Sequence, residues 1–189
     1  MQNQIGTFQA IGTETLELEE EECSLANALG IVAAIIAFVS LVPLAPYLAW
    51  WSASGPGWTL SLFPWGISGA GMATPSEYWW GYTAMVFIGL AGVLGLVGSV
   101  IGKPGKGVLA GAGLLGLLSI IVFVAGFVTN VTRGSELLFY NGPDGSAYLY
   151  GGFWLALIAA ILLFVASARH PKAPSAAPAP APAPAPPTA

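Results

Sequence analysis

Four apolar runs without a charged side chain, at residues 25–51, 78–102, 107–130 and 151–168, leave this chain few ways to fold. A helix crosses the hydrocarbon core of a bilayer with about 20 apolar residues. Backbone immersed in lipid must satisfy its own hydrogen bonds, and a single run can do so only as a helix. With 56% apolar and 7% charged residues over 189 positions, a soluble core of this size could not hide the apolar surface. The pattern predicts an all-α integral membrane protein of tetraspan type. It is a four-transmembrane-helix bundle over 25–168, with a small aromatic-rich extracytoplasmic cap whose outer loops, 52–77 and 131–150, can carry short β-strands.

The flanking segments are of another kind. Residues 1–24 end in the run Glu19 to Glu22, and six of the nine acidic residues lie between Glu14 and Glu22, so the net charge of −4 describes one acidic, disordered cytoplasmic tail. No cleaved signal peptide is expected there. Residues 169–189 form a second cytoplasmic tail, a Pro/Ala repeat with nothing to bury that favours extended polyproline conformations.

Orientation follows the basic residues. With both termini inside, the inner segments carry Lys103, Lys106, Arg169 and Lys172, against Arg133 outside. The aromatic residues agree with that placement. Trp50, Trp51, Trp58, Trp65, Trp79, Trp80 and Trp154, with Tyr82, Tyr140, Tyr148 and Tyr150, all fall at the outer ends of the spans or in the outer loops. They are the expected outer contact surface.

The loops hold turn signals. In the first, Trp58, Leu60 and Leu62 alternate with Thr59 and Ser61, as in a half-buried strand. In the second, 137–140 and 147–150 flank a turn at 141–145 and are expected to pair as a hairpin. Pro43 and Pro46 fall in the outer third of the first span, where each removes a backbone donor and bends the helix. Small residues four apart are expected to pack the helices closely: Ala91, Gly95 and Ser99 in the second span, and Gly107 with Gly111 and Ala112 with Gly116 in the third. The second and third spans, joined by the turn at Lys103 to Lys106, should form a tight hairpin.

Chemistry is hard to place on this chain. No ionisable residue lies within any span, although such groups mark proton relays and ion pathways. Cys23 and His170 are single, so neither a thiolate metal cluster nor a bis-histidine haem can be assembled from one copy, and no cofactor is expected. Without a basic face the chain is not expected to bind nucleic acid. Its expected partners are membrane lipid and other membrane-protein subunits or copies of itself.

Four spans, cytoplasmic ends, a larger tryptophan-bearing first outer loop and a smaller second one resemble the layout of the claudins and their peripheral-myelin relatives. The resemblance is one of topology. Phe63, Pro64 and Trp65 stand where a Gly-Leu-Trp segment falls in those proteins, and their paired loop cysteines are absent. It implies a role in lateral assembly. Three functions are therefore expected to compete. The first is a non-catalytic accessory or lateral-assembly protein acting by protein–protein contacts. The second is a membrane subunit of a quinone-linked redox complex, and the third is a small transporter or pore for a neutral solute, resting on Thr83, Ser99, Ser119, Thr129 and Asn130.

Overall fold

A computed structural model of the chain describes residues 27–42, 46–69, 78–101, 105–131 and 134–169. Both tails, Cys23, Pro43, Glu77, the turn residues Lys103 and Pro104, Arg133, His170 and Lys172 lie outside the described residues. The protein is mostly helical, with a small sheet. Helix α1 covers Asn27–Val39, α2 Trp79–Val100, α3 Gly105–Asn130, α4 Gly134–Leu137 and α5 Gly151–Arg169. Three of these, α2, α3 and α5, are long and apolar enough to cross a membrane.

The expected helix over 25–51 is corrected. Helical residues stop at Val39, a single 3-10 turn occupies Pro46–Leu48, and Trp51 already opens a strand. The physical reason lies in both the prolines and a competing partner. Pro43 and Pro46 cannot donate to the preceding turn, and the last turn of α1 tightens into bonds from Leu41 N–H to Phe38 O at 3.0 Å and Val42 N–H to Val39 O at 3.1 Å. Beyond the prolines, Trp50 N–H donates to Leu62 O at 2.8 Å, a sheet-like bond a helix could not supply.

The helices run antiparallel to their neighbours, in an order their contacts define. On α1, Gly30 lies against Ser99, Ala34 against Gly95, and Phe38 against Gly92 of α2. On α3, Ser119 Oγ donates to Ala84 O of α2 at 2.7 Å, while Gly126 lies under the Trp80 ring and Leu109 against Gly98. Between α3 and α5, Gly116 meets Ala160 and Gly113 meets Phe164, and Ser167 Oγ donates to Lys106 O at 3.0 Å.

Burial is sorted by size in the way lipid demands. The buried positions of the helices are dominated by small residues such as Ala33, Ala37, Ala84, Ala91, Ala156 and Ala160, whereas Ile35, Val86, Leu90, Leu114, Ile121 and Ile161 point outward. In water that arrangement would be costly. Between helices in lipid it is favourable, because close approach of small residues supplies the packing while large aliphatic side chains meet acyl chains.

The expected packing stripes are partly rearranged. Ala91, Gly95 and Ser99 are buried, but a Cβ at Gly95 would meet Leu163 of α5 and Ala34 of α1, not α3. Ala112 and Gly116 are buried as well. Gly107 and Gly111 make no such contact with the described residues, since a Cβ at either would meet none of them within 4 Å. The α2–α3 hairpin closes instead through the face that carries Trp80, Ala84 and Gly98.

The five strands form one antiparallel sheet in the order β3-β2-β1-β5-β4. β1 is Trp51–Gly55, β2 Trp58–Phe63, β3 Gly66–Gly69, β4 Phe139–Gly142 and β5 Gly145–Leu149. Each hairpin turns through two residues that begin with proline: Pro56-Gly57, Pro64-Trp65 and Pro143-Asp144. Proline presets the backbone for the first corner of a tight turn. β1 is the centre, pairing with β2 from its own loop and with β5 from the other, Trp51 opposite both Leu62 and Leu149. The expected alternation along β2 is replaced by a gradient, from exposed Trp58 and Thr59 to buried Ser61, Leu62 and Phe63. The strand runs from its free tip toward the helices.

Candidate functional site: the aromatic layer

Between sheet and helices lies a layer of rings, and it divides the sequence-predicted aromatic residues into two populations. Trp50, Trp51 and Trp80 are buried; Trp58, Trp79, Tyr82, Tyr140, Tyr148 and Trp154 are exposed. Trp65 and Tyr150 are half-buried.

The buried set is held from both sides. Trp50 follows the 3-10 turn, and its indole Nε1–H donates to Ser40 O, just beyond the end of α1, at 3.0 Å. Its ring lies 5.0 Å from Phe123 and 6.2 Å from Phe153. Trp51 donates from Nε1 to Leu137 O at 2.8 Å and packs on Phe127 at 5.0 Å. Trp80, at the start of α2, meets Phe123 at 5.3 Å, Phe127 at 6.2 Å and Tyr78 at 4.4 Å. Aromatic pairs of this geometry are each worth about 0.5–1.5 kcal/mol beyond the area they bury.

Tyr78 completes the joint. Its hydroxyl donates to Phe63 O at 2.6 Å, tying the end of β2 to the start of α2. Phe123, Phe127 and Phe153 were not picked out as site residues from the sequence. Phe123 and Phe127 are four apart on α3 and so share a helix face, the signal that could have found them.

The exposed rings lie around this joint. Tyr47 stacks on Tyr150 at 6.4 Å with an interplanar angle of 18°, Tyr148 lies 5.5 Å from Tyr150, and Trp154 is edge-on to Phe153 at 5.5 Å. Phe63 and Trp65 stack at 4.9 Å. Trp79 and Tyr82 occupy the first turn of α2, with Tyr82 edge-on to Tyr78 at 5.8 Å.

The register separates the two faces of the sheet. Trp51, Ala53, Leu62 and Ala147 belong to the buried cluster that includes Phe123 and Phe127. The alternate positions carry Ser52, Ser54, Thr59, Ser61, Ser68, Ser146 and Tyr148, in register across the strands. Among the described residues no group of three or more His, Cys, Asp or Glu could hold a metal ion. Five polar side chains of α2 and α3 bond to carbonyls. Ser99 bonds Gly95 O, Thr83 bonds Trp79 O, Thr129 bonds Ala125 O and Asn130 bonds Gly126 O within their own helices, while Ser119 alone of this set reaches across to another helix.

Set against models of known protein families and against characterised protein sequences, the chain matches none.

Proposed function

We propose that this chain is a multi-pass membrane protein that acts by protein–protein contacts, as an accessory subunit of a larger membrane complex or a lateral-assembly protein. α1, α2, α3 and α5 form the transmembrane bundle, the sheet is its extracytoplasmic cap, and both termini are cytoplasmic. Lys106 and Arg169 support this orientation, because they lie at the end of the bundle opposite the sheet and their helices are joined there by the Ser167 bond.

The observation that carries the reading is the way the aromatic layer is spent. Trp50, Trp51 and Trp80 fill the space between cap and helices with rings and hydrogen bonds, leaving a platform with Trp79, Tyr82 and Trp154 exposed around it. Exposed Trp and Tyr on a fixed scaffold are the residue types from which interfaces draw most of their binding energy. The filled layer favours contacts over a ring-binding pocket for a quinone. The bonding of the helix hydroxyls to backbone carbonyls favours contacts over a polar conduit for a neutral solute.

The test is solubilisation of the native membrane in a mild detergent, followed by sizing and mass spectrometry of what travels with the chain. A defined set of other membrane proteins, or a homo-oligomer, is expected. Migration as a lone monomer that moves solute across vesicles would overturn the reading in favour of transport.

A further inference from the structure

We infer that the face of the sheet turned away from the helices is a binding site for an uncharged, polyhydroxylated ligand, a neutral glycan. The face holds a hollow of about 330 Å³ whose floor is Ser52, Ser54, Thr59 and Ser61 and whose walls are Tyr47, Tyr148 and Tyr150. That volume sits at the small end of the range for ligand pockets, about 300–1,000 Å³. Tyr148 also borders a second hollow of about 320 Å³ with Phe139, Tyr140, Asn141, Ser146 and Ala147, so one ring walls both.

The chemistry of the lining selects the ligand class by elimination. Among the described residues no charged side chain lines either hollow, which argues against a phosphate, a carboxylate or a metal ion, all of which need a counter-charge. An acyl chain needs an apolar floor, and this floor is hydroxyl. A protein partner would seat its anchors on apolar residues at the centre with polar groups at the rim; here the order is reversed. A sugar fits both components. Its hydroxyls can exchange hydrogen bonds with serine and threonine, each of which is both donor and acceptor, and its C–H faces stack on tyrosine rings.

The face is also preorganised. Ser52 and Ser61 stand 3.5 Å apart, Ser54 and Ser146 3.3 Å, and each of these hydroxyls is fixed by strand register instead of by a flexible loop. Both hydroxyl–hydroxyl contacts are long for an O–H···O bond, so a ligand oxygen can replace them at little cost. Tyr47 and Tyr150 are held nearly parallel, which makes one wall a flat platform. Binding to such a surface requires little ordering of the protein.

The test uses the full chain in a detergent without a sugar headgroup, titrated calorimetrically with uncharged di- and trisaccharides of glucose, mannose and galactose. At least one is expected to bind. Tyr148→Ala and Tyr47→Ala should each weaken it about tenfold, the loss of one stacked ring. Tyr148→Phe, which keeps the ring, should retain most of the affinity, and Ile121→Ala, at an outward position of α3, should leave it unchanged. A second arm presents the protein to nanodiscs with and without a neutral glycosylated lipid. Preferential retention on the glycolipid discs would place the sugar on a membrane lipid, whereas binding of free sugar alone would place it on a soluble or protein-borne glycan. Absence of binding to every uncharged sugar in both arms would overturn the inference. So would equal binding by Tyr148→Ala, preference for acidic oligosaccharides, or a co-purifying protein released by Tyr148→Ala.

Discussion

At Gly95 a Cβ would stand 2.8 Å from Leu163 Cδ2 on α5 and 3.4 Å from Ala34 Cβ on α1, so this one position holds three helices together. Gly111 faces open space, although Gly113, two residues on, is crowded by Phe164. Gly95→Leu should therefore lower stability by about 1–3 kcal/mol, the usual cost of forcing a large side chain into a packed site. Gly111→Leu should change it by no more than about 0.5 kcal/mol, since an outward leucine in a helix carries no packing penalty. Thermal unfolding in detergent, followed by loss of the monodisperse elution peak, compares the two. Equal destabilisation by both would show that Gly111 is also packed, and would return it to a helix interface.

Among the elements, the tips of the hairpins test how much of the sheet is set by local backbone preference. Gly57 closes the β1–β2 turn with φ of +79° and has nothing within 4 Å of where a Cβ would be. Gly57→Ala therefore introduces backbone strain without a clash, and should cost about 1 kcal/mol. Hydrogen exchange of the β1 and β2 amides should then quicken about fivefold; unchanged protection would mean that the turn adapts. The turns at Pro56-Gly57 and Pro64-Trp65 became visible only with the strands they join; the turn of the second loop was legible in the sequence because it is written locally, at 141–145 between two short runs. The end of α1 was less so. Pro43 and Pro46 suggested a bend, but a break required knowing that Leu62 O would accept from Trp50 N–H. The pairing of β1 with β5 was not legible at all, since Ser54 and Ser146 are 92 residues apart and no local pattern encodes the register. The same holds for the aromatic layer. The tryptophans announced themselves, but their division into a buried and an exposed set depends on Phe123, Phe127 and Phe153, delivered by other helices.

For the whole molecule, the sidedness proposed here is open to a direct test. In a Cys23→Ser background, Thr59→Cys at the exposed tip of β2 should react with a membrane-impermeant maleimide on intact cells. Arg169→Cys, at the far end of α5, should react only after permeabilisation. The reverse pattern would invert the topology and place the sheet in the cytoplasm.

The central position of β1 between strands of two different loops also fixes an order of events during biosynthesis. When β1, β2 and β3 leave the ribosome, β1 has a native neighbour on one side only; the other awaits residues 145–149, made after the whole of α2 and α3. Until then its free edge is a template without an occupant, and the nascent chain carries an open strand while its middle helices are still being made. The last hairpin to be synthesised is thus the one that closes the sheet, and the first and second halves of the chain become a single folded body only once it arrives.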